Sequence, residues 1–141
     1  MSDCAFCSIV AERAPAYRVY EDGRTLAFLD VNPAARGHTL VVPKEHAESI
    51  TEMQAPLVGD VFRTAQRVAA ALESAFEPDG INVVQSNGRA AGQEVLHAHV
   101  HVIPRSEDDS VDLDWTAGDP DDAVLTDTAA TLREESDALS R

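Results

Sequence analysis

His97-Ala98-His99-Val100-His101-Val102-Ile103 sets three imidazoles at alternate positions and closes on Pro104. In an extended strand successive side chains leave by opposite faces, so His97, His99 and His101 share one face while Ala98, Val100 and Val102 take the other. An affinity tag would be contiguous and terminal; this run is internal and interleaved with apolar residues. Imidazole can act as base, acid, nucleophile or metal ligand near neutral pH, so three on one face point to chemistry rather than packing. At about 3.3 Å per residue, His97 and His101 have α-carbons about 13 Å apart, so one zinc cannot easily take all three. Three separate roles follow.

Outward from this run, the pattern predicts an α+β chain with more strands than helices, arranged as an antiparallel meander. A short helix is expected from Cys4 to Ala11, stopped by Pro15. Strands are expected at 17–21 and 25–29 about the hairpin pair Asp22-Gly23, at 38–42 before Pro43, at 81–85, and at 95–103 for the histidine run. Between them a helix from about Gln54 to Phe76 carries Leu57, Val61, Ala65, Val68, Leu72 and Ala75 on one stripe, with Thr51-x-x-Gln54 resembling a capping box ahead of it. Ser86 to Gln93 reads as a glycine-bearing loop.

The 141 residues make one domain's worth of chain, read as a main body over 1–105 and an acidic extension of the same domain over 106–141, with a helix at 120–139 opened by Asp119-Pro120. Twenty-five acids oppose eleven bases, and Lys44 is the single lysine. The resulting formal charge of -14 argues against binding nucleic acid or an anionic membrane. Self-repulsion of that size suits a salt-rich cytoplasm such as a halophile's. No stretch approaches the roughly 18 to 20 apolar residues of a membrane span, and the opening Met-Ser-Asp-Cys-Ala-Phe-Cys has no basic leader, so a cytoplasmic protein is expected. Cys4 and Cys7 are the only cysteines. In a reducing compartment their C-x-x-C spacing suits metal ligands or a redox pair, but a thioredoxin-like site needs a strand before the motif and none precedes Cys4.

The remaining histidines, His38 and His46, fall in Gly37-His38-Thr39-Leu40-Val41-Val42-Pro43-Lys44-Glu45-His46. His38 by itself reads as a satisfied structural histidine. Taken with Phe28-Leu29-Asp30-Val31-Asn32-Pro33, Asn87-Gly88, Ala91-Gly92-Gln93-Glu94-Val95 and His97 to Arg105, this stretch resembles the histidine triad (HIT) nucleotide-binding family, in its general phosphoramidase-like, or Hint-type, branch. The resemblance implies a HIT-like fold and a homodimer with a shared sheet. It assigns His99 as the nucleophile that attacks the α-phosphorus of a nucleotide conjugate, an adenosine phosphoramidate or a dinucleoside polyphosphate, through a nucleotidyl-histidine intermediate. A backbone carbonyl near His97 would hold its other nitrogen, His101 would donate to a phosphate oxygen, and Gly92 and Gln93 would bring backbone N–H groups to the anion, with Gln93 near the leaving group.

The resemblance further implies that Asp30 binds the ribose and that Phe6, Ile9, Phe28 and Val31 line the purine base site; without it, these four apolar residues are simply core. Where the family commonly has an asparagine reaching the phosphate, this chain has Ser86, with a shorter reach. Zinc-binding members complete a Cys4–Cys7 pair with residues matching His46 and His97, which would make a closed structural site. Two other classes of function fit the same residues: a nucleotide-binding regulatory protein with incidental hydrolysis, and a zinc hydrolase using the triad as ligands.

Overall fold

The structure, a computed structural model, describes residues 4–139; Met1 to Asp3, part of the segment read as lacking a basic leader, lie outside them. The chain forms two compact units, Met1–Val111 and Asp112–Arg141. In the first, helix α1 (Ala5–Val10) leads into strands β1 (Arg18–Glu21), β2 (Thr25–Leu29) and β3 (Thr39–Pro43), then helix α2 (Ala55–Phe76), strand β4 (Gly80–Gln85) and strand β5 (Val100–Arg105). The five strands form one antiparallel sheet in the order β1-β2-β3-β5-β4. It is therefore α+β, but not a simple meander, because β5 inserts between β3 and β4. The second unit holds α3 (Asp122–Leu139), which begins two residues later than Pro120 suggested and has Asp122 in its first turn. Among the described residues no helix is long and apolar enough to cross a membrane.

Alternation along the strands gives the sheet two apolar faces. Ala27, Val41, Val100 and Val102 point to the stripe of α2 made by Val61, Ala65, Val68 and Leu72. Leu26, Phe28, Leu40 and Val42 pack on the opposite face with Phe6 of α1. The stripe expected of α2 seats it from Leu57 to Leu72, while Ala75, also expected there, is exposed near the helix end. Its cap differs. Gln54 makes no side-chain capping bond, and the Thr51 hydroxyl pairs with that of Ser49 at 2.9 Å inside a short 3-10 turn. The Asp22-Gly23 hairpin forms, but Gly23 is not among the glycines with positive φ. The Asp22 carboxylate closes it instead, accepting from the N–H groups of Arg24 at 2.9 Å and Thr25 at 2.8 Å.

The largest departure is at the histidine run. The ladder of β5 starts only at Val100, so His97 and His99 precede the strand and only His101 lies in it. His101 stands opposite Leu40 of β3, which puts it on the α1 side of the sheet between the inward-packed Val100 and Val102. Residues 97 to 99 are held otherwise, by the Ala98 N–H bonded to the Ala47 carbonyl at 2.7 Å. After β5, Arg105 clamps Asp109 with Nε and Nη2 at 2.8 and 2.9 Å and donates to the Val111 carbonyl at 2.8 Å, which carries the first unit beyond Arg105.

Candidate active site

Backbone groups fix the tautomers of His97, His99 and His38, and through His38 that of His101, because a ring nitrogen facing a carbonyl must carry the proton and one facing an N–H must not. His97 is fully buried, and its Nε2 lies 2.8 Å from the Pro43 carbonyl, so Nε2–H donates and Nδ1 keeps its lone pair. The Nδ1 of His99 is 2.7 Å from the His97 carbonyl, so it donates there and Nε2 is left unprotonated. The Ala34 N–H donates to His38 Nδ1 at 2.9 Å, which places the His38 proton on Nε2. That proton is directed at His101 Nδ1, 2.9 Å away, which makes His101 Nε2 an N–H donor. Burial keeps the His38 and His97 rings below the ordinary histidine pKa, and burial, with the repulsion a protonated His101 would meet from His99 and His38 were they protonated too, lowers His101 to about 4. All three are neutral at pH 7.

His99 and His101, with ring centroids 5.0 Å apart, line a cleft of about 540 Å³. Phe6, Ile9, Phe28 and Val31 line it too, together with Asp30, His38 and Gly92. Phe6 and Phe28 also belong to the core, so for them the packing and pocket readings are both realised; Val31 is 70% exposed and has no core role. Asp30 is aimed by its own turn, since its Oδ1 accepts from the Asn32 N–H at 2.8 Å. The carboxylate's Oδ2 then lies 3.5 Å from His38 Nε2.

Two residues singled out in the sequence lie elsewhere. Gln93 is buried and spends its amide on the chain itself: Nε2 donates to the carbonyls of Glu48 at 2.6 Å and Val95 at 3.0 Å, and Oε1 accepts from the Gly88 N–H at 2.7 Å. It braces the Gly88–Gln93 turn. Ser86 is not among the residues that line the cleft, and the neighbouring Asn87 is tied to the Ile50 N–H at 2.7 Å. His38, read from sequence as a satisfied structural histidine, is buried with both ring nitrogens hydrogen-bonded, and it also lines the cleft and meets His101; the signal for that contact was its place one residue before β3, the strand that pairs with His101.

Cys4, Cys7, His46 and His97 converge so that one donor atom from each lies within 4.8 Å of the others. His97 Nδ1 stands 3.3 Å from Cys4 Sγ, 3.5 Å from Cys7 Sγ and 3.1 Å from His46 Nδ1. Tetrahedral ligands at zinc bond lengths stand about 3.3 to 3.8 Å apart, so the set fits that ion, and the bond from His97 Nε2–H to the Pro43 carbonyl leaves Nδ1 as the nitrogen presented to it. Asp30, His38 and His101 also lie within reach of one another. They fail the same test, because the Ala34 N–H occupies His38 Nδ1 and leaves the proton where a metal would need the lone pair. The triad does not converge on one point: the His97 side chain belongs to the cysteine cluster, while His99 and His101 belong to the cleft.

Residues 11–108 match the HIT domain family. The chain is similar to the crystal structure of SMU.412c from Streptococcus mutans, with 42% identity and a TM-score of 0.92 over 96% of this chain and 86% of that one. It also resembles the adenylylsulfatase HINT3 of Arabidopsis thaliana, at 37% identity over 108 residues, which are 77% of this chain and 55% of that protein. A Zn-bound histidine triad family protein from Mycobacterium smegmatis superposes with a TM-score of 0.74 at 38% identity, covering 94% of this chain and 96% of that one. With the alternate histidines, the cleft beside them and the extent of these matches in view, the chain belongs to the HIT domain family.

Proposed function

We propose that this protein is a nucleotide hydrolase that attacks the α-phosphorus of a nucleotide conjugate, either an adenosine phosphoramidate or a dinucleoside polyphosphate. The observation that carries the reading is the tautomer of His99: Nδ1–H is spent on the His97 carbonyl, and the Nε2 lone pair is free in a residue that lines the cleft. In the first step Nε2 forms a bond to phosphorus as the bond to the leaving group breaks, the leaving group taking the bonding electron pair and, where it is an amine, a proton from solvent. The positive charge gained by the ring is met by the His97 carbonyl. Water then attacks phosphorus and gives up a proton to solvent, the N–P bond breaks with its electron pair returning to Nε2, and nucleoside monophosphate leaves with the neutral imidazole restored. His101, fixed as a donor through Nε2, stabilises the charge that builds on the phosphoryl oxygens. Asp30 binds the ribose, Phe6, Ile9, Phe28 and Val31 hold the base, and Gly92 brings backbone to the phosphate. Gln93 acts by holding that loop. The relationship to an adenylylsulfatase supports nucleotide chemistry at this cleft.

Zinc, when held by Cys4, Cys7, His46 and His97, supplies folding free energy and no open coordination position, so its role is structural. Family resemblance also supports a homodimer with a shared sheet, for which the outer edge of β4 is available. Sedimentation in molar salt tests it.

Acid-quenched mass spectrometry with an adenosine phosphoramidate tests the reaction. A nucleotidyl adduct on residue 99, absent from His99→Ala along with turnover, is the expected result. An adduct on His97 or His101, or turnover that survives His99→Ala, overturns the assignment.

A further inference from the structure

The His38 proton has two acceptors. It points at His101 Nδ1 at 2.9 Å, and it also lies 3.5 Å from Asp30 Oδ2, a distance too long for a good hydrogen bond but short enough for a carboxylate to pull on it. The ring itself is pinned, since the Ala34 N–H holds Nδ1 and the side chain is almost fully enclosed. Asp30 is likewise aimed by its bond from the Asn32 N–H. What is adjustable is therefore how strongly the one proton is given to each side.

We propose that His38 is a positioning residue that couples recognition of the ribose to the donor at the phosphate. The inference rests on the nucleotide reading above. A ribose whose hydroxyls donate to Asp30 satisfies that carboxylate and weakens its pull on His38 Nε2–H. The proton is then committed to His101 Nδ1, which holds the His101 ring in the tautomer and orientation that present Nε2–H to the phosphoryl group. The ribose hydroxyls, though remote from phosphorus, thus act on the chemical step as well as on binding, a case of binding interactions used in the transition state.

The test compares an adenosine phosphoramidate bearing a fluorogenic amine with its 2′,3′-dideoxy counterpart, in wild type, His38→Leu and His38→Gln. Glutamine retains an N–H donor near the place of Nε2; leucine retains only bulk. In wild type, loss of the hydroxyls lowers kcat about tenfold, the size of one well-placed hydrogen bond, besides raising KM. In His38→Leu the ratio of kcat between the two substrates falls to about one while the KM ratio persists, and His38→Gln restores a kcat ratio above about threefold. The coupling is overturned by a wild-type effect confined to KM, by a kcat ratio unchanged in His38→Leu, or by a ratio that stays near one in a folded His38→Gln. If wild type turns over neither phosphoramidate, diadenosine tetraphosphate and its dideoxy counterpart take their place in the same comparison, and absence of turnover with all four overturns the hydrolase reading and the coupling with it.

Discussion

Gly37 stands immediately before His38 with a φ of 95°, and a Cβ built there would lie 2.8 Å from Leu72 Cδ2 and 3.1 Å from the Phe76 ring. Two separate costs are expected of Gly37→Ala. The left-handed backbone costs about 1–2 kcal/mol for an L-residue. The clash falls on a buried leucine of α2 and adds overpacking of about 1–3 kcal/mol. Two other glycines separate these terms. Gly88, at φ 90° and ψ 154° with nothing within 4 Å of its Cβ position, carries only the backbone cost of a conformation nearly closed to side chains, so Gly88→Ala loses about 1–3 kcal/mol. Gly23 has neither, and Gly23→Ala gains about 0.4–1 kcal/mol by restricting the unfolded chain. Urea unfolding followed by circular dichroism at one fixed salt concentration measures all three. The expected order is Gly23→Ala most stable, then wild type, then Gly88→Ala, then Gly37→Ala, with the last about 2–5 kcal/mol below wild type, a large part of a typical domain's 5–15 kcal/mol. Equal losses at Gly37 and Gly88 would refute the packing argument, since only the first meets α2.

Exchanging Cys4 and Cys7 together for serine should remove close to one zinc per chain by metal analysis and lower the melting temperature; full zinc retention would place the site elsewhere. With a formal charge of -14, the melting temperature should climb with potassium chloride from about 0.2 M to about 2 M, and a flat response would remove the case for a saline home. The Arg105 guanidinium beside Asp109, aided by the Ser106 N–H, holds that carboxyl well below the usual carboxylate range. Because its folded pKa is depressed, its contribution is present above the ordinary carboxylate pKa and fades as pH falls through the folded value, so Asp109→Asn should destabilise at pH 7 and progressively less in acid. A loss independent of pH would sink that account.

Much of the architecture was legible because it follows from local periodicity. The α2 stripe from Leu57 to Leu72 comes from side chains whose burial repeats at the helical period, and β2 from a short apolar run, buried on both faces, that starts just after the Asp22-Gly23 turn. What failed depended on partners far along the chain. Alternation of His97, His99 and His101 implied one continuous strand, yet the carbonyls of Pro43 and Ala47 capture His97 and Ala98 before the ladder begins, and a backbone carbonyl leaves no mark in a sequence. Gln93 looked like a free polar group near an anion because its three backbone partners, at Glu48, Gly88 and Val95, are set by folding of the loop. His38 is the enclosed, satisfied histidine its own segment suggests, but its contact with His101 across the sheet could not be read from that segment. Motif resemblance compensated for part of this: Asp30, Phe6, Ile9, Phe28 and Val31, drawn from two elements and a loop, do meet around one cleft.

The three residues that lead into β5 are tethered rather than zipped, and this gives them a clock of their own. Amide hydrogens inside the ladder, such as that of Val102, exchange with solvent only when the sheet opens. The amide of Ala98 is shielded by one bond to Ala47, on a segment whose neighbour His97 is anchored through Pro43 and the cysteine cluster. Its exchange rate therefore reads the firmness of the seat under His99 separately from the integrity of the domain. Loosening the amino-terminal helix would accelerate exchange at Ala98 while Val102 kept its protection, so that the precision of the nucleophile can wear away in a molecule that by every global measure is still folded.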